Sequence, residues 1–324
     1  MRSLRRLLSL LTTVTVLLAL SPAGLAHAQT AVHVLVEFDE SAGQLPEGIA
    51  LDRTGNIYAS IAPLGELWRI PRGSDDPQPF GSVDGIVPGR DFGMLGLAVD
   101  VFGNVYAGVQ SADRAVNGVW RFDRWTGDAH KIPGTADIGL PNGLAFDKQA
   151  TLYVADSVGA IWRVPWGGSA SILLRDEALT GDGSLGVFIG ANGIAVRHKT
   201  LIVTNTERRT MLAAPKAGGG ISVVATFPQG MNPDGLALDV HGNAFVAINT
   251  QNAIARVTPG GDVGIFVSGD PLDFPSSVAF GTSGGERKTL FGVNFSITEG
   301  LGLPPGDGPG VFELNAGVPG APLP

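Results

Sequence analysis

Asn232-Pro233-Asp234-Gly235-Leu236-Ala237-Leu238-Asp239-Val240-His241-Gly242-Asn243 is a phrase that this chain of 324 residues repeats. Related copies read LPEGIALDRTGNIY from Leu45, MLGLAVDVFGNVY from Met94, LPNGLAFDKQATLY from Leu140 and ANGIAVRHKTLIV from Ala191, and a decayed form begins at Phe274. Aligned on the shared glycine they give Gly48, Gly96, Gly143, Gly193 and Gly235, with Ser277 in the sixth position. The steps between them are 48, 47, 50, 42 and 42 residues. A fixed period of this size marks a repeat architecture in which neighbouring units bury each other's apolar faces.

Within a unit the apolar residues alternate with period two and are punctuated by Gly-rich turns, which is the pattern of short antiparallel strands. In the first unit, strands are expected at Glu47 to Leu51, Ile57 to Ser60, Glu66 to Ile70 and Gln78 to Val83. Third strands share a theme: LWRI at Leu67, VWRF at Val119, IWRV at Ile161 and IARV at Ile254. Four antiparallel strands repeated six times predict an all-β, six-bladed β-propeller. The sixth unit lacks a fourth strand, whereas AVHVLVEF, from Ala31 to Phe38, precedes unit one without a partner. That N-terminal strand is expected to complete the last blade, which removes an exposed edge and closes the ring.

Residues 1–29 read as a secretory signal peptide: Arg2, Arg5 and Arg6 precede an apolar run from Leu7 to Leu20, and Ala26-His27-Ala28 offers a cleavage site. The run is too short, and too diluted by Ser and Thr, for a spanning helix. One propeller domain is expected over 30–317, with a Pro/Gly-rich tail at 318–324, in an exported monomer whose route of export is open. The chain has no cysteine, so neither disulfides nor a thiolate metal site supports it. Its net charge is −8, or −11 without the three leader arginines, which disfavours nucleic acid and anionic membrane as partners.

The residue before each shared glycine sits at one mouth of a propeller's channel. Those residues are Glu47, Leu95, Asn142, Asn192, Asp234 and Ser276. Asn or Asp before Gly is also an ordinary turn signal. Two carboxylates and two amides at one repeat position, one of them a Glu that does not favour turns, point instead to a hard-oxygen site. Such a site suits calcium, or magnesium or manganese.

These residues resemble the regucalcin/gluconolactonase (SMP-30/LRE-like) family of six-bladed, calcium-binding lactonases. The resemblance implies Glu47, Asn192 and Asp234 as metal ligands, with Asn142 completing or bordering the site. It also implies a metal-dependent hydrolase of a small-molecule lactone or related ester. The chain departs from the family pattern where Ile49 and Ala50 follow Gly48, and where Ile138-Gly139-Leu140-Pro141 stands in place of a substrate-binding arginine. The substrate therefore stays open between a polyhydroxy acid lactone and a more apolar ester. Asp234 is the expected general base. Rival readings are a non-enzymatic binding propeller braced by a structural metal, and a lyase, isomerase or synthase on the same scaffold.

The four Asp residues at 52, 100, 147 and 239 recur on the first strand-to-strand turn and read as Asx turns rather than ligands. Asp156, Asn205 and Asn294 recur at the end of the second strand, where buried hydrogen bonds between blades are expected. No histidine occupies the channel position. The connections over Gly73 to Gly93, Arg175 to Gly190 and Ser296 to Gly310 are candidates to cover the mouth.

Overall fold

A computed structural model describes residues 30–297 and 306–323. The expected leader lies outside the described residues, as does most of the connection from Ser296 to Gly310. Among the described residues no helix is long and apolar enough to cross a membrane.

The chain forms six four-stranded antiparallel sheets, five of them built in sequence order from the axis outward. Blade one comprises Pro46–Leu51, Ile57–Ile61, Glu66–Ile70 and Gln78–Ser82, within a residue of the sequence reading. Blades two to five begin with the inner strands Gly93–Val99, Pro141–Phe146, Ala191–Arg197 and Pro233–Leu238. Blade six contains Pro275–Phe280, Thr289–Asn294 and Gly310–Asn315, and its outer strand is Val32–Glu37 from the other end of the chain. That strand pairs antiparallel with Gly310–Asn315, Val32 opposite Leu314 and Glu37 opposite Gly310, so the ring is closed as expected.

The apolar residues collect into wedges between blades rather than into one central core. Tyr58 and Leu67 of blade one pack with Met94 and Val105 of blade two. Phe245 and Ile254 of blade five pack with Phe280 and Phe312 of blade six. Val36 and Phe38 of the closing strand pack with Ile49, Ile57 and Phe291, so the two chain ends are buried in the same wedge. The Trp68, Trp120 and Trp162 series belongs to these wedges.

The shared glycines mark close approach, not turns. A Cβ on Gly48 would lie 2.4 Å from the Leu95 carbonyl oxygen, one on Gly143 2.4 Å from that of Asn192, and one on Gly193 2.6 Å from that of Asp234. Each inner strand therefore runs against the backbone of the next. None of these glycines has a positive φ, so left-handed turn geometry is not what they supply. Register shifts accompany them, between Pro46 and Gly48, Pro141 and Leu144, Ala191 and Ile194, and Pro233 and Leu236. Bulges of this kind re-aim a side chain that a regular pleat would turn into a blade interface.

The four Asp residues on the first turns behave as read. Asp52 Oδ1 accepts from the Thr54 and Asn56 amides, and Asp239 Oδ1 from those of His241 and Asn243. The connection assigned to Arg175–Gly190 is shorter than the sequence suggested. The outer strand of blade three runs Ser171–Thr180, because Arg175 and Leu174 continue the ladder opposite Ala160 and Ile161. The expected fourth strand of blade one, Gln78–Ser82, occupies the middle of Gly73 to Gly93 and leaves only 83–92 between blades one and two.

Because the neighbouring backbone has no room to give, Gly143→Ala is expected to lower unfolding free energy by about 1–3 kcal/mol, the usual range for overpacking. A denaturant melt compared with Gly220→Ala, where nothing lies within 4 Å of the added carbon, checks it.

Candidate metal centre

Glu47, Asn142, Asn192 and Asp234 are all buried and line one axial cavity of about 490 Å³. Ser276 joins them from blade six, while Arg53, Arg287 and the tail residues Gly320 to Leu323 line the same cavity elsewhere. The tail is held there by Ala321 N–H donating to the Leu238 carbonyl and Gly320 N–H to that of Arg287.

The acids are held in different ways. Asp234 Oδ2 accepts from Asn249 Nδ2 at 2.7 Å, and the same amide donates to the Pro275 carbonyl at 3.0 Å. Glu47 Oε2 is buried and has no hydrogen-bond partner. Ala62, Leu95 and Leu140 form an apolar cluster with Phe295 packed against it, and none of these side chains can donate a hydrogen bond.

Burial therefore raises both carboxyls. Desolvation pushes Glu47 well above the usual carboxylate range, and the charge of Asp234 adds to it. Asp234 is pushed up to about 7 by burial, against the pull of hydrogen bonds from Asn249, Asn192 and the Gly235 amide. No lysine, arginine or histidine is among the groups acting on either carboxyl. Two buried acids without a counter-charge are costly unless protonated or joined by a cation.

The residues present fit a hard cation. Glu47 offers an oxygen with no other use, and Asn142 and Asn192 direct their nitrogens to hydroxyls, Ser157 Oγ at 3.4 Å and Thr206 Oγ1 at 2.9 Å, leaving the carbonyl ends for the cavity. Among the described residues no three His, Cys, Asp or Glu side chains cluster, so such an ion would draw on amide oxygens as well as the two carboxylates.

Residues 185–292 match a family model described as the SMP-30/Gluconolactonase/LRE-like region. Over that stretch the chain is gluconolactonase-like. The matched residues include Asn192 and Asp234, whereas Glu47 and Asn142 lie outside them. A calcium-binding protein, regucalcin, from Agrobacterium tumefaciens superposes with a TM-score of 0.66 at 18% identity, covering 91% of this chain and 96% of that one. A gluconolactonase from Xanthomonas campestris gives 0.66 at 16%, covering 88% and 89%. Virginiamycin B lyase from Staphylococcus aureus gives 0.55 at 15%, covering 83% and 82%. At these identities the likeness is one of fold. No curated protein sequence matches this chain.

The sequence reading passed over Ser157, Thr206 and Asn249, which stand behind the mouth residues of blades three to five. Of their neighbours, expected to make buried hydrogen bonds between blades, Asn205 does so with the Ala178 and Thr180 carbonyls of blade three, whereas Asp156 bonds within blade three to the Leu140 amide and Trp162 indole. A signal was present, since each missed residue follows its mouth residue by 14 or 15 positions.

Stability without metal should carry the mark of these acids. A carboxyl raised in the folded state holds its proton where the unfolded chain has released it, so its contribution is fully present below about pH 4 and lost as pH rises. For Asp234 the loss runs to about 7, and Glu47, raised by burial in the same direction, adds to it. In chelator, Asp234→Asn should melt progressively higher than wild type as pH is raised across this window. Thermal melts at several pH values check it, and a gap that stays constant would contradict the burial argument.

Proposed function

We propose that this protein is an exported, divalent-metal-dependent hydrolase of a lactone or related ester, with calcium as its ion. The observation that carries the reading is the pair of buried, uncompensated carboxylates, Glu47 and Asp234, beside two amides whose oxygens are left for the cavity. The match to a gluconolactonase-family model and the fold shared with a gluconolactonase support the reaction class. A bound cation at this position supplies Lewis acidity to a substrate carbonyl oxygen.

The chain's own groups do the rest. Water attacks the acyl carbon, Asp234 accepts its proton, and the ring carbon–oxygen bond breaks as that proton passes to the departing alkoxide. Burial raises Asp234 above the usual carboxylate range in the metal-free site and so favours its accepting that proton, while a bound cation would oppose this rise. Asn249 holds Oδ2 of Asp234 in place.

The substrate we assign is apolar rather than a polyhydroxy acid. Ile49, Leu144, Ile194 and Leu236 line the same cavity as the acids and offer no hydrogen bonds to sugar hydroxyls, and the connection leading into Asn192 exposes Leu185, Val187 and Phe188. Turnover of a panel of alkyl lactones, gluconolactone and aryl esters tests both points. Activity should vanish with chelator, return with calcium or, less effectively, magnesium or manganese, and fall about 10²-fold or more in Asp234→Ala. Activity indifferent to chelator would reject the metal-dependent reaction.

A further inference from the structure

We infer that Thr206 and Ser157 are positioning residues that decide which end of the Asn192 and Asn142 amides faces the channel axis. The inference rests on the metal reading of the site. A side-chain amide has two ends of nearly the same shape, so only its hydrogen-bond partners fix which one points where. At both positions the partner's options are limited by a second bond.

Thr206 Oγ1 lies 2.8 Å from the Pro233 carbonyl oxygen, and Ser157 Oγ lies 2.7 Å from that of Ala191. A carbonyl oxygen can only accept, so each hydroxyl's single proton goes to the inner strand of the next blade. The hydroxyl oxygen is then left as an acceptor. It can bond the nitrogen end of the asparagine, Asn192 Nδ2 at 2.9 Å and Asn142 Nδ2 at 3.4 Å, but not the oxygen end. With Nδ2 held by Thr206, Oδ1 of Asn192 is the end turned away from the hydroxyl and free to meet a cation. Turning that amide by half a rotation would place N–H donors there and repel the ion.

A plainer role is available, since hydroxyls also bind blade to blade without touching a mouth side chain. Thr204 Oγ1 donates to the Asp234 carbonyl at 2.7 Å, and Ser60 Oγ to that of Leu95 at 2.7 Å. Thr204 is therefore the control. It makes the same kind of seam bond one turn of the pleat away from Thr206, and its loss weakens the seam while leaving the Asn192 amide bonded as before.

The experiment compares wild type, Thr206→Val, Thr206→Ser and Thr204→Val by calorimetric titration with calcium, magnesium and manganese, with thermal melts of the metal-free proteins. Thr206→Val should bind the preferred ion roughly 10–100-fold more weakly, as loss of a partner that orients a ligand usually does. Thr206→Ser should restore most of that affinity. Thr204→Val should lower the metal-free melting temperature to a similar degree yet bind the ion as wild type does. Equal affinity in folded Thr206→Val, or an equal loss in Thr204→Val, overturns the positioning role.

A readout without metal separates this role from the reading it rests on. In metal-free protein, the Asn192 side-chain N–H signals should exchange slowly in wild type and Thr206→Ser and fast in Thr206→Val. Unchanged exchange rejects the positioning role even where calcium binds. Wild type that binds none of the three ions, with the exchange difference intact, rejects the metal reading instead.

Discussion

Six inner strands brought together around one axis, five of them at a glycine where a Cβ would not fit, are the constraint on which this structure depends. With Gly48 against the Leu95 carbonyl and Gly143 against that of Asn192, each blade's position is set by the backbone of the next. The axis-facing edge of each inner strand lacks a neighbouring strand, so its carbonyls need other donors. Hydroxyls and amides from preceding blades supply them: Ser60 to Leu95, Thr204 to Asp234, Ser276 to Glu47. The residue ahead of each glycine then has little space except the channel mouth, and the bulge at that point turns it inward. Close packing of backbone and convergence of side chains are thus one feature.

The ring so formed is lopsided. Blades three to five back their mouth residues with Ser157, Thr206 and Asn249, so that each has a polar partner. On the other side the corresponding space is filled by Ala62, Leu95, Leu140 and Phe295. Glu47 belongs to this dry side, and an ionised carboxylate there loses hydration without gaining a hydrogen bond. The fold tolerates it because the wedges between blades bury apolar residues such as Ile61, Phe122 and Phe245 around the whole circumference. Strain of this kind, concentrated at one mouth, is what a site for a charged partner requires.

The surroundings of the mouth follow from loop anchorage. Glu207, fully buried next to Thr206, accepts from the Gly183 amide, while its own amide donates to the Ile189 carbonyl. The connection between blades three and four is thereby tied down at both ends, and Leu185, Val187 and Phe188 are left outward. An apolar stretch is thereby exposed on the connection that leads into Asn192.

Much of this was decided by sequence alone. The period of the Gly phrase and the two-residue alternation within it determined six blades of four strands, and the unpaired Ala31 to Phe38 determined how the ring closes, because apolar strand faces and open edges admit few other solutions. The order of Glu47, Asn142, Asn192 and Asp234 along the chain marked one mouth for the same reason: a repeat places equivalent positions side by side. Tertiary structure alone decided what those positions experience. Whether the glycines served turns or backbone contact depended on distances across blades, and the orphaned Glu47 oxygen depended on which residues of blades one, two, three and six surround it. The orientation of the two asparagines depended on hydroxyls whose protons are claimed by a different blade. Hydrogen-bond direction and desolvation are properties of a surrounding shell, and that shell is drawn from chain segments that sequence order keeps apart.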